Sequence, residues 1–211
     1  MRKEPYFRGK YYKWLPIRFL LDRIIKNMVL KAVNLAEDFI KEEEKILDIG
    51  AGGGWISEEL QKKKKTSNTL LDVINLNQTD LPLIIYNGKD IPLEDNSFDS
   101  ALLICVLHHC QNPERVLQEA RRVVKDKIII VENVPSNRFS RFAMCCEDVF
   151  LNLGFCMLGN SFKEIINLPF NFKKISGWKN LFEEAGLKVI YEKKINQLLN
   201  VQSVGFVVQK I

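Results

Sequence analysis

Four glycines crowd into five positions, Gly50, Gly52, Gly53 and Gly54, directly behind the apolar run ILDI of residues 46–49. Glycine tolerates positive φ and lets a ligand approach the backbone, so a glycine turn between a strand and a helix is a natural nucleotide-like cradle. A tight structural turn is the competing reading. Residues 55–65 resume helical spacing, with Ile56 and Leu60 inward, which completes a strand, turn and helix. The residues just past the glycines narrow the choice of ligand. A dinucleotide site asks for a third glycine five residues after the first, where this chain has Trp55, and a Walker loop asks for a Lys-Ser or Lys-Thr that is missing.

The rest of the chain repeats that alternation. Short apolar runs at 45–49, 69–74, 83–86, 100–106, 128–132, 187–192 and 204–208 read as seven strands, several of them fully apolar as buried parallel strands are. Residues 113–124 carry Val116, Leu117, Ala120 and Val123 at helical spacing behind Asn112, a suitable cap. Before the first strand, Pro16 suits a first helical position, and Ile17, Leu21, Ile24, Met28, Ala32, Leu35 and Phe39 recur in steps of three and four. The pattern predicts an α/β doubly wound sheet. Residues 75–82 are too few for a crossover helix after the second strand, which leaves a loop. Residues 133–174, rich in Phe, Leu, Met and Cys, are too apolar for a plain loop and predict a substrate-side insertion after the fifth strand.

Charge is unevenly placed. Residues 1–31 hold nine Lys/Arg against Glu4 and Asp22, and the remainder holds 22 basic and 24 acidic residues. This basic arm is either a solubilising terminus or a surface for an anionic partner such as nucleic acid. Five cysteines, Cys105, Cys110, Cys145, Cys146 and Cys156, with no two-residue spacing, point to a reducing, cytoplasmic setting. The longest apolar stretches, near 17–40 and 142–159, are broken by charges including Glu147 and Asp148, so no membrane span is predicted.

Candidate ligand-side residues gather at the carboxyl ends of the strands. Asp72, near the end of the second strand, can accept hydrogen bonds from two ribose hydroxyls or serve as a turn residue. His108 and His109, the chain's two histidines, follow the fourth strand; either can act as a base, or both are structural parts of the turn. No metal-ligand spacing accompanies them, and no metal site is predicted. Glu132 and Asn133 end the fifth strand and, with Phe142 in the insertion, are candidate substrate contacts. Met144, Phe150, Leu151, Phe155, Met157, Phe162, Phe170 and Phe172 are further apolar residues that line an acceptor pocket or simply pack.

Four motifs, ILDIGAGGG at 46–54, LLDVIN at 70–75, NGKDIPLEDNSFD at 87–99 and LLICVLHHCQNPERVLQEARRVVK at 102–125, occur in order. Together they resemble the small-molecule, methyltransferase-11-like type of class I S-adenosylmethionine-dependent methyltransferases over about residues 45–132. The resemblance implies a Rossmann-like, mostly parallel sheet and S-adenosylmethionine as cofactor. Asp48, Gly50, Ala51 and Gly52 would hold its methionine end, Asp72 and Val73 its ribose, and Asn87 and Gly88 the adenine side. Cys105 and Val106 would add to the methionine end. Asn87 departs from the family's usual Asp, though its amide oxygen is still an acceptor.

A single domain over 1–211 is predicted. It comprises a basic helical cap (1–44), a cofactor core (45–132), the insertion (133–175) and a C-terminal helix with strands (176–211). Because the sulfonium methyl is already activated, the motifs imply a cofactor without naming an acceptor. Three readings stay open: methylation of a small or medium-sized molecule, nucleic-acid methylation using the basic arm, and a non-catalytic cofactor-binding protein.

Overall fold

In a computed structural model, residues 18–159, 169–196 and 202–211 are described. Pro16, Ile17 and the arm of residues 1–15 lie outside that range, as do Phe162 and the side chains of Phe155, Cys156 and Met157. Five helices among the described residues, α1 (Arg18–Ala36), α2 (Trp55–Lys64), α3 (Pro113–Val123), α4 (Arg138–Gly159) and α5 (Ile175–Glu184), flank one sheet. Its strands are β1 (Lys45–Ile49), β2 (Ser67–Asp72), β3 (Leu83–Ile85), β4 (Phe98–Ile104), β5 (Val124–Asn133), β6 (Leu187–Asn196) and β7 (Gln202–Lys210). They run in the order β3-β2-β1-β4-β5-β7-β6. The first five are parallel, and β7 runs antiparallel to both β5 and β6. This is the Rossmann-like, mostly parallel seven-stranded architecture expected, with a helix-free connection after β2 and an insertion, α4, after β5.

The strands are apolar on both faces because helices cover both. On β5, Ile128 and Ile130 join the layer under α3 and α5, whereas Ile129 and Val131 join the layer under α1 and α2. The period-two alternation of a strand thus feeds two cores from one run of Ile and Val. α3 starts where its cap predicts: the Asn112 side chain accepts from the Arg115 amide at 3.0 Å, with Pro113 at the first position. α1 buries Leu21, Ile25, Val29 and Ala32 and ends at Ala36, before Phe39.

Polar groups lock the strand ends remote from the glycines. Glu44, just before β1, accepts from the Ser100 hydroxyl of β4 at 2.7 Å and from Lys127 of β5 at 3.3 Å, all three buried. β1 lies between β2 and β4, so its carboxyl end opens where the chain reverses direction across the sheet. That crevice is the ligand side of such sheets.

Trp178 and Phe182 of α5 are fully buried, with Phe182 edge-on to Phe206 of β7 at 5.2 Å between ring centres. The mutation Phe182→Ala should destabilise the fold by about 3–5 kcal/mol, read as a lower urea midpoint at an unchanged slope.

Candidate functional site

The glycine turn is built by its neighbours. Gly50 leaves β1 at φ +70°, and its amide donates to the Leu71 carbonyl of β2 at 2.7 Å. A Cβ at Gly50 would stand 2.6 Å from the Val106 side chain, so the turn and the end of β4 are in contact without space for a larger residue. A Cβ at Gly53 would meet the Trp55 ring at 2.4 Å, so the indole that stands at the third-glycine position packs directly on the turn. Asp48, 2% exposed, accepts from the Ser57 hydroxyl of α2 at 2.7 Å.

β2 stops at Asp72, two residues earlier than predicted. The reason is the carboxylate itself, whose Oδ1 accepts from the Val73 amide at 2.7 Å and whose Oδ2 accepts from the Gly52 amide at 2.8 Å. Asp72 thereby ties the glycine turn to the next loop while keeping lone pairs on the cavity side. Asn87 is exposed, and its Oδ1 accepts from the Lys89 and Asp90 amides at 2.8 and 2.9 Å.

β4 also ends early, at Ile104, because Cys105 takes a left-handed φ of 58°, uncommon away from glycine. The chain then folds into a short 3-10 turn, Leu107–His109. Glu132, fully buried, organises that turn: Oε1 accepts from the Val106 and Leu107 amides at 3.1 and 2.7 Å, and Oε2 accepts from His108 Nδ1 at 2.6 Å. His108 is 1% exposed and stacks on Phe172 at 4.7 Å. Asn171 closes the arrangement, its amide donating to the His108 carbonyl at 2.9 Å and its side chain to the Cys110 carbonyl at 2.8 Å.

These pieces surround one cavity of about 860 Å³. Asp48, Gly50, Ala51, Gly52, Asp72, Val73, Asn87, Gly88, Cys105 and Val106 all line it, as do His108, His109 and Asn133. Ile25 and Met28 of α1 and Leu151 of α4 supply apolar wall. Two expected substrate contacts are placed differently. Glu132 is sealed beneath the wall because both its oxygens are used by the turn. Phe142 is 66% exposed and is not among the lining residues, because α4 turns Met144, Asp148 and Leu151 inward and that face excludes it. Met144 and Phe172 pack together in a small core beside the cavity.

The residues that sequence reasoning missed are Glu147 and Asp148 of α4, which line the cavity beside the histidine turn. Their signal was an acidic pair inside an otherwise apolar helix. Asp148 Oδ1 lies 3.3 Å from His109 Nε2 and 3.7 Å from His108 Nε2. Burial disfavours a charged His108 ring, but Glu132 and Asp148 outweigh it and raise its pKa to about 9. Burial, then the neighbouring His108 charge, lowers His109 to about 4. Burial with Asp148 nearby raises Glu147 to about 7. Cys105 is held well above an ordinary thiol by burial and by Glu132, so it is no thiolate nucleophile.

A methyltransferase-domain family matches residues 47–131, the stretch from β1 to β5 that carries the glycine turn, Asp72 and the histidine turn. Residues 47–131 are therefore similar to a methyltransferase domain, and S-adenosylmethionine binding is what that likeness implies. An uncharacterized protein of Methanocaldococcus jannaschii is 32% identical over 123 residues, 54% of this chain and 46% of the relative. Demethylmenaquinone methyltransferase of Thermotoga maritima is 29% identical over 104 residues, 44% of this chain and 45% of its own. The matched stretches thus span a little under half of each relative. A chain from the Haloferax volcanii complex between the Trm112 methyltransferase activator and a methyltransferase shares the fold, with a TM-score of 0.67 at 16% identity over 95% of each chain. Among the described residues no helix is long and apolar enough to cross a membrane.

Asp48 connects this geometry to pH. Burial raises its pKa to about 7, against the Ser57 hydrogen bond and aided by Asp72. A carboxyl raised on folding adds stability that is complete below its unfolded value near 4 and is lost as pH rises through about 7. Asp48→Asn, which keeps an acceptor for Ser57, should remove that loss. Between pH 5 and 8 the ligand-free wild type should weaken relative to the variant by on the order of 3 kcal/mol in urea titrations.

Proposed function

We propose that this chain transfers a methyl group from S-adenosylmethionine to a small or medium-sized acceptor held between the glycine turn and α4. The observation that carries the reading is one cavity lined both by Asp48, Gly50, Asp72 and Asn87 and by His109, Glu147 and Asp148. The residues fit the cofactor. Gly50 and Gly52 line the cavity at positive φ with no side chain to hold a ligand off their backbone, and Asp72 stands at a strand end as an acceptor for ribose hydroxyls. Asp48 and the backbone of Ala51 and Gly52 would hold the methionine end, with Cys105 and Val106 across from them; Val73 and Gly88 would flank the nucleoside with Asn87.

When bound, the cofactor supplies an activated methyl, so the protein's work is alignment and exclusion of water. Ile25, Met28 and Leu151 supply the apolar cover. His109, with a quarter of its side chain open, contacts the acceptor, whereas sealed His108 is a positioning residue held by Glu132. Asn133, whose Oδ1 accepts from the Ser203 hydroxyl at 2.6 Å, adds a fixed amide to the acceptor side. Acceptor choice belongs to α4 and the segment after it rather than to the basic arm, and the small-molecule reading is preferred to nucleic acid on the ground of this enclosed wall.

Calorimetry with S-adenosylmethionine and its demethylated product should show one site per chain. Asp72→Ala should weaken both ligands by roughly 10- to 100-fold, the range for hydrogen bonds to a charged group. Absence of binding at millimolar ligand would sink the reading. In a methyl-transfer assay against metabolite pools, His109→Ala should lower turnover by at least about 10-fold while leaving cofactor affinity unchanged. Full activity in that variant would remove His109 from the acceptor side.

A further inference from the structure

We propose that His108, His109 and Asp148 form a binding site for a divalent transition-metal cation of the zinc(II) type, on the acceptor wall of the cavity. The three side chains offer donor atoms that all lie within 4.8 Å of one another. Asp148 Oδ1 stands 3.3 Å from His109 Nε2 and 3.7 Å from His108 Nε2. The longer separation is too great for a hydrogen bond, and the shorter lies at the long end of the range for nitrogen and oxygen. The shorter matches the edge of a coordination tetrahedron and the longer is close to it. Zinc bound to nitrogen and oxygen at about 2.0–2.1 Å places its ligands about 3.3 Å apart, so the donor set, spread over at most 4.8 Å, closes on one ion by side-chain rotations on the order of 1 Å.

The second observation is orientation. His108 Nδ1 donates to Glu132 at 2.6 Å, which leaves Nε2 as the ring nitrogen on the Asp148 side, where a bound ion would displace the proton. Glu132 is itself pinned by two backbone amides, and Phe172 stacks on the ring. A carboxylate behind a ligating imidazole is the usual outer support of a metal-bound histidine, and here it is in place.

The third is an unmet polar demand. Asp148 is 7% exposed, and its Oδ2 is buried with no hydrogen-bond partner, while Oδ1 receives the Asn152 amide at 3.3 Å. Burying such an atom unpaired is costly, and a cation at the cluster removes the cost. Two imidazoles with one carboxylate select borderline ions such as zinc(II), cobalt(II) or iron(II) over magnesium or calcium, which prefer all-oxygen shells. Three protein ligands leave a coordination position facing the cavity, where an oxygen or nitrogen of the acceptor can complete the shell. Only that task depends on the methyl-transfer reading; occupancy of the site does not.

The experiment uses the full chain, stripped with a chelator and titrated with zinc chloride by calorimetry without S-adenosylmethionine. One ion per chain is expected, with Asp148→Asn and His109→Ala each weakening binding by more than about 100-fold and Glu132→Gln by about 10- to 100-fold. Thermal melts of the metal-free variants check that they fold, and His109→Gln serves if His109→Ala does not. Cobalt(II) in place of zinc should give weak visible bands without a sulfur charge-transfer band. Absence of zinc binding at 100-fold excess over protein, unchanged affinity in folded Asp148 and His109 variants, or a sulfur band from the nearby cysteines would each overturn the proposal. Since cofactor binding is measured separately, failure here leaves the cofactor site standing, and the reverse also holds.

Discussion

The fully buried carboxylate of Glu132 is the contact on which the two halves of the cavity depend. It stands on β5 but satisfies the amides of Val106 and Leu107, so it decides how the chain leaves β4. Those amides have no strand partner to turn to, because Cys105 has already bent the backbone into the left-handed region. Bent this way, Val106 comes against Gly50, and His108 is turned toward α4. A single charge therefore sets the contact between the cofactor turn and β4 and the direction of the histidine ring. Such a charge is tolerable in the interior only because three donors surround it.

Much of this was legible in order and little of it in depth. The strands could be read because a parallel sheet covered on both faces demands runs such as KIIIV, and the helices because Val116, Leu117, Ala120 and Val123 mark one face. The ends of β2 and β4 could not be read from propensity. Apolar residues continue past both, and it is the Asp72 side chain and the left-handed bend at Cys105, held by Glu132, that halt the ladders. The cofactor wall was accessible because its residues lie within short motifs.

The acceptor wall was not accessible in the same way. Asp148 meets His109 only because α4 docks with Met144, Asp148 and Leu151 inward, a choice made by tertiary packing. Nothing local to His108 and His109 announces a carboxylate some forty residues away. Phe142 illustrates the same limit in the opposite sense: an aromatic residue in an apolar segment reads as a wall, yet the helix face puts it in solvent.

Asn171 has a bearing on how such a scaffold can change. It clasps the carbonyls of His108 and Cys110, while at the other end of the insertion Ser140 caps the start of α4 through the Ser136 and Asn137 amides. The insertion therefore leaves the sheet at a self-capped helix start and is tied back to the histidine turn by the two Asn171 hydrogen bonds. Cavity-facing side chains of α4 such as Leu151 can change without unseating the histidine turn or the glycine turn, which are held by Glu132, Asn171 and Asp72. One invariant chassis can then carry exchangeable acceptor walls, with specificity evolving as a cassette.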